Sequence, residues 1–301
     1  VQVTKHIYMA LINAYAACGQ FEKAKQVVFD KGVPVKGLNE IRSVLVSALA
    51  SHGQMSDALN IYEEIKQAEC NLEPKAILCI IEHLQSEEEM SRLLQLLEEL
   101  DDPHYWVNGC FRVILYCIRH KHLSSAVDLL KQLKDKFYND EVATEVLFDE
   151  VFCHIAETEP PDLQIGLDLL RAIKEELDLR PSRKSLDFLL SACVNAKDLH
   201  SSLFIWKEYQ TAGLTYNVLS YLRMYQVLLA SGDHKTAANM LNKIPKDDPH
   251  VRSVVKACQA TYSKSTPSPA KGKTTPSPAK GKKNKKNKKN KNKNKNSEEM
   301  S

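Results

Sequence analysis

Apolar residues recur along this chain as a doublet followed by a third apolar residue three positions later. The series is Leu11-Ile12-Tyr15, Leu45-Val46-Leu49, Ile80-Ile81-Leu84, Val113-Ile114-Cys117, Val151-Phe152-Ile155, Leu189-Leu190-Cys193 and Met224-Tyr225-Leu228. The i, i+1, i+4 spacing places each trio on one helical face. A break follows, marked by Gly19, Gly53 and Gly232 in three cases, and a second helical stripe begins. That second stripe contains a slot, in most units a small residue, at Ala24, Ala58, Leu93, Ala126, Gly166, Ser202 and Ala237. Successive slots lie 34, 35, 33, 40, 36 and 35 residues apart. A period in this range predicts stacked helix–turn–helix units, because one hairpin cannot bury its stripe alone.

Turn signals separate the units. They are Gly32-Val33-Pro34, Glu73-Pro74, Asp101-Asp102-Pro103, Arg180-Pro181-Ser182 and Ala212-Gly213. The 40-residue spacing is ascribed to the segment Glu157 to Asp162, where Pro160 and Pro161 stop one helix and Asp162 caps the next. The reading is an all-α solenoid of about seven helix–turn–helix repeats over 1–245. A closing helix over 246–263 and a disordered basic C-terminal tail over 264–301 follow it.

Charge separates the tail from the body. Residues 264–301 carry 13 lysines and two acids, a net of +11, while residues 1–263 carry a net of −8. The octapeptide Thr-Pro-Ser-Pro-Ala-Lys-Gly-Lys occurs at 266–273 and again at 275–282, before Lys and Asn take over. No apolar residue there can found a core. Long-range attraction to polyanions is expected from the tail, including Lys282, Lys283, Lys285, Lys286, Lys288 and Lys289. Thr266, Ser268, Thr275 and Ser277 each precede proline, and phosphorylation there would cancel much of the local charge.

The repeats resemble the pentatricopeptide repeat family. The best unit runs from Arg183 to Asn217 over the full 35 residues, with Leu189-Leu190, Leu199, Trp206 and Gly213-Leu214 at the family's apolar doublet, second-helix start, aromatic and terminal turn. Residues 6–28 and 222–244 form further good units; the third to fifth are degenerate. The organisation resembles a plant organellar member. The resemblance implies a right-handed superhelix whose first helices line a groove, with single-stranded RNA lying there at one base per repeat. It implies a mitochondrial location, with the chloroplast second.

The same resemblance places base selection at the fifth and last residues of each unit, Asp187 and Asn217 in the best one. The other fifth positions are Met9, Ser43, Leu78, Phe111 and Leu222, and the fifth unit is too irregular to place. Among these other positions, only Ser43 carries the hydroxyl or amide the family uses. Apolar side chains there can sandwich a base without naming it, or can simply pack. Phosphates need cations along the track, and Lys5, Arg42, Arg112, Arg119, Arg183, Lys184 and Arg223 are the candidates.

Catalytic signatures are absent from the sequence. There is no G-x-G-x-x-G, no Walker lysine and no zinc-deaminase ligand set. His120-Lys121-His122 has the wrong spacing for one helical metal face and sits at a turn, where solvated histidines are expected. Eight cysteines form no C-x-x-C pair; Cys18, Cys117, Cys153 and Cys193 lie among apolar residues and read as buried thiols. No apolar stretch approaches the ~20 residues of a membrane span. The chain opens on Val1 and reads as a fragment or processed product, with any targeting peptide out of view. Two functions remain open: a non-enzymatic organellar RNA-binding factor in transcript processing, stability or translation, or a scaffold whose groove holds a protein partner. Neither needs a cofactor or a small-molecule substrate.

Overall fold

A computed structural model describes residues 4–136 and 140–262. All regular secondary structure among these residues is helical. Seven hairpins follow one another: α1 (Lys5–Ala17) with α2 (Phe21–Gln26), α3 (Leu38–Ser51) with α4 (Met55–Gln67), α5 (Pro74–His83) with α6 (Met90–Glu98), α7 (Pro103–Arg119) with α8 (Leu123–Lys136), α9 (Glu141–Glu157) with α10 (Leu163–Glu175), α11 (Arg183–Asn195) with α12 (Leu199–Thr211), and α13 (Val218–Ala230) with α14 (His234–Leu241). A single helix, α15 (Pro249–Tyr262), comes last. Each first helix packs on the first helix of the next unit from α1 to α13, and α13 packs on α15. Second helices meet one another sparingly, most closely at α8 and α10. The first-helix layer is therefore the tighter of the two, and the chain is an α-solenoid.

The slots explain why the hairpins close. Ala24, Ala58, Leu93, Ala126, Ser202 and Ala237 are wholly buried, and Gly166 is buried too. At Gly166 a Cβ would stand 2.8 Å from Leu189 Cδ2 and 3.3 Å from Ile155 Cγ2, so only hydrogen fits without the neighbours moving. Core residues run without interruption from Tyr8 to Val227, and a second cluster centred on Tyr225, Leu228 and Val251 joins α13 to α15.

The inter-helix turns share one geometry. Gly19, Gly53 and Gly232 have φ between +70° and +80°, which closes the helix with a left-handed residue. Lys121 and Lys197 occupy the same conformation at φ +61° and +56°, so two units that lack the glycine still make the turn. In all five, the amide two positions beyond the cap returns to the carbonyl of the third apolar residue, as from Gln54 to Leu49 at 2.8 Å and Asp198 to Cys193 at 2.9 Å. Asp162, Asp198 and Asp233 then cap the second helices.

Three sequence expectations need correction. The interruption at 157–162 accounts for only part of the 40-residue spacing. α7 and α9 each run 17 residues where α11 and α13 run 13, so each carries an additional N-terminal turn. Of the four thiols read as buried, Cys18 is exposed, because it caps α1 beyond the last apolar position, and Cys153 is only half-buried. His120 and His122 are not solvated: both lie half-buried against Tyr116, at ring-centroid distances of 4.4 and 6.2 Å, with their Nε2 atoms shielded from solvent. The basic tail, with Lys282, Lys283, Lys285, Lys286, Lys288 and Lys289, lies outside the described residues.

Candidate nucleic-acid interface

The doublets fix a common register on the first helices, and the fifth position of a unit lies two residues before its doublet. Leu78 and Leu222 are each 7% exposed there and belong to the core. Met9 and Phe111 are partly buried and pack against it. Ser43 is 3% exposed, and its Oγ accepts the Glu73 amide at 3.0 Å, at the N-cap of α5. The equivalent residue of the irregular fifth unit is Asp149, two before Val151-Phe152. It is 8% exposed and accepts hydroxyls from Ser185 at 2.7 Å and from Ser182, the N-cap of α11. The additional turn of α9 displaced Asp149 from a count made at the helix start; a count made from the doublet would have found it.

Asp187 is the centre of a polar cluster joining α11, α12 and α13. It accepts the hydroxyl of the fully buried Tyr209 at 2.5 Å and lies 3.5 Å from the Arg223 guanidinium. Burial first, and then the Asp187 carboxylate, hold the Tyr209 phenol well above its ordinary range, with Arg223 and Arg183 opposing. Arg183 donates to the Thr215 carbonyl at 2.7 Å. Asn217 is exposed at the N-cap of α13, where its Oδ1 accepts the Ser220 amide at 2.8 Å in a capping box. Asp187 is thus engaged in holding adjacent helices, and Asn217 in capping its own helix α13.

The candidate cations are largely engaged as well. Lys5 pairs with Glu40 at 2.6 Å, and Arg112 binds Asn108 at 2.8 Å and pairs with Glu82. Arg119 donates to Gln85 at 3.3 Å. Arg42 is half-buried, and Lys184 is exposed without a recorded ion pair among the described residues. The same offset of about one repeat recurs between Lys25 and Asp57 at 3.1 Å, Lys66 and Glu99 at 2.5 Å, and Lys174 and Glu208 at 2.7 Å. These pairs act as rungs between units. At the Glu99 rung, burial and then the carboxylate push the Tyr62 phenol up to about 12.

No group of three or more His, Cys, Asp or Glu converges on a possible metal position among the described residues. None of their helices is long and apolar enough to cross a membrane.

The fold and its register define a helical-repeat protein of the helix–turn–helix solenoid class. Comparison with known sequences narrows the class. The PPR repeat family model matches residues 6–30 and 42–70. The pentatricopeptide repeat-containing protein At4g21880, mitochondrial, of Arabidopsis thaliana is 53% identical over 87% of this chain. The mitochondrial pentatricopeptide repeat-containing protein At4g04790 of the same plant is 54% identical over 88%. The chain belongs to the pentatricopeptide repeat family. It spans about a third of these relatives, 31% and 32% of their lengths. Among solved structures, the pentatricopeptide repeat protein PPR10 from maize aligns with 86% of this chain and 47% of its own, at 12% identity and a TM-score of 0.36.

Proposed function

We propose that this chain binds single-stranded RNA along its first-helix layer, as a non-enzymatic factor in mitochondrial transcript processing, stability or translation. Family membership carries the reading, since members are generally RNA-binding organellar factors. The mitochondrial expectation agrees with both relatives, and the chloroplast alternative finds no support in them. The register supports binding that names few bases. Its fifth positions are apolar at four units, and the polar ones (Ser43, Asp149 and Asp187) already serve neighbouring helices. Apolar side chains stack on any base face. Lys184 and Arg183 supply the local positive charge, since Arg223 is paired with Asp187, and the lysine tail adds capture with little sequence preference.

One observation favours the second reading, a scaffold for a protein partner. The body is acidic overall and uses several of its first-helix cations, Lys5, Arg112 and Arg223 among them, in inter-repeat ion pairs, which takes them from phosphates. Binding of labelled single-stranded RNA against salt, with and without residues 264–301, separates the two. The RNA reading expects the tailless body to bind at low salt, with little difference between homopolymers. A tailless body that binds no RNA at low salt removes the first-helix reading and leaves the scaffold.

A further inference from the structure

Within the first-helix layer, α9 differs from its neighbours in charge. Each of α1, α3, α5, α7, α11 and α13 carries at least one lysine or arginine. α9 carries neither, and holds carboxylates at Glu141, Glu145, Asp149, Glu150 and Glu157. Asp149 is buried against α11, but the four glutamates are exposed. None of the four has a recorded ion pair among the described residues. Counted from the doublets, Glu150 and Glu157 take the positions of Arg112 and Arg119 in α7. Glu150 also takes the position of Arg223 in α13, and Val146 that of Lys184 in α11. α9 packs between α7 and α11. Both of those helices offer cations outside any recorded ion pair, Arg119 on one and Arg183 and Lys184 on the other.

From this reversal we infer that α9 interrupts the RNA track, with Glu150 and Glu157 as the residues that set where a bound strand is held. Phosphates approach the layer up to α7 and again from α11, and the strand stands off between them. The inference rests on RNA binding along the first-helix layer, proposed above, and adds where along that layer binding fails. Single-stranded nucleic acid is held chiefly by exchanging its counterions for lysine and arginine. An ionised carboxylate only accepts hydrogen bonds, as a phosphate does, so the two have no bond to make and their charges repel. Glu150 and Glu157 are therefore doubly unsuited to the positions that Arg112 and Arg119 fill one unit earlier. The RNA is held as two segments, and the nucleotides opposite α9 contribute little to affinity.

The test uses the full chain and a single-stranded RNA carrying 4-thiouridine throughout. Photocrosslinks mapped by mass spectrometry should fall on α7, α11 and α13 and leave α9 unmarked. Glu150→Lys combined with Glu157→Lys turns two repelling positions into two contacts. Near 0.1 M salt the affinity should rise about tenfold or more, and the salt slope should steepen by about 1.4. Both side chains are exposed, so the fold tolerates the change. Glu150→Gln with Glu157→Gln removes only the repulsion and should raise affinity about twofold at an unchanged slope. Glu63→Lys with Glu64→Lys adds the same charge on the exposed face of α4, a second helix, and should change affinity by less than about twofold. Adducts on α9 as frequent as on α7, or equal gains from the α9 and α4 lysine pairs, overturn the interruption while leaving RNA binding intact. A first-helix layer that takes no adducts at all removes the RNA track itself.

Discussion

Asp187 offers the sharpest separation between holding helices together and reading a base. Its carboxylate is 19% exposed and takes the hydroxyl of Tyr209, a wholly buried side chain, with Arg223 21% exposed beside it. Asp187→Ala strands a buried phenolic donor, at a cost of about 1–3 kcal/mol. Loss of the partly shielded pair with Arg223 adds up to about 1 kcal/mol. The total is about 1–4 kcal/mol. Asp187→Asn keeps an acceptor for Tyr209 and surrenders only the charge, so about 1 kcal/mol is expected. Urea unfolding followed at Trp206 reads the effect locally, since that ring stacks on Tyr216 at 3.6 Å and neighbours Tyr209 at 6.5 Å. Trp106→Phe silences the only other tryptophan. Equal costs for the Ala and Asn variants, or no cost for either, would refute the assignment of Asp187 to helix packing. A gain in RNA affinity from both variants, at unchanged stability, would return Asp187 to the RNA track.

Two further outcomes test the packing and the caps. Burial pushes the thiols of Cys110, Cys117 and Cys193 up to about 12. A thiol-specific chromogenic reagent near neutral pH should therefore react rapidly with the exposed Cys18 and Cys70 and reach those three only on unfolding; rapid reaction of all eight cysteines would contradict the core. Asp198 caps α12, and the Ser201 amide, followed by the Ser201 hydroxyl, holds its carboxyl below its ordinary 3.8. The folded value is depressed, so the cap contributes fully above 3.8 and its contribution is lost as pH falls through the lower folded value. Asp198→Ala should cost about 1 kcal/mol near neutral pH and show a smaller acid-induced drop in melting temperature than the parent. An unchanged acid limb would remove Asp198 as its source.

Much of the fold was legible because hairpin stacking imposes a strict local pattern. The doublets, the wholly buried slots and the left-handed turns at Gly19, Gly53 and Gly232 all express the same repeated contact. The irregular units were harder for a physical reason. A helix can gain one turn at its N-terminus without disturbing its doublet, and α7 and α9 have done so. Lys121 and Lys197 likewise enter a conformation that glycine usually marks, held there by the returning amides of His122 and Asp198. The candidate site was less legible than the fold. Ser43, Asp187 and Arg112 have suitable chemistry for RNA, but their partners Glu73, Tyr209 and Glu82 lie 22 to 30 residues away in sequence.

The amino-acid sequence alone determined the period, the two-helix unit and the separation of an acidic body from a lysine-rich tail, because each follows from local spacing or composition. Only the tertiary structure decided which polar groups remain available. A carboxylate or guanidinium is committed by whatever stands opposite it, and in a solenoid that neighbour comes from the adjoining hairpin. The stack likewise decided that Ile7 and Leu11 of α1 are exposed among the described residues while their register counterparts Ile41 and Leu45 of α3, and Ser185 and Leu189 of α11, are buried, since burial depends on whether another helix lies alongside.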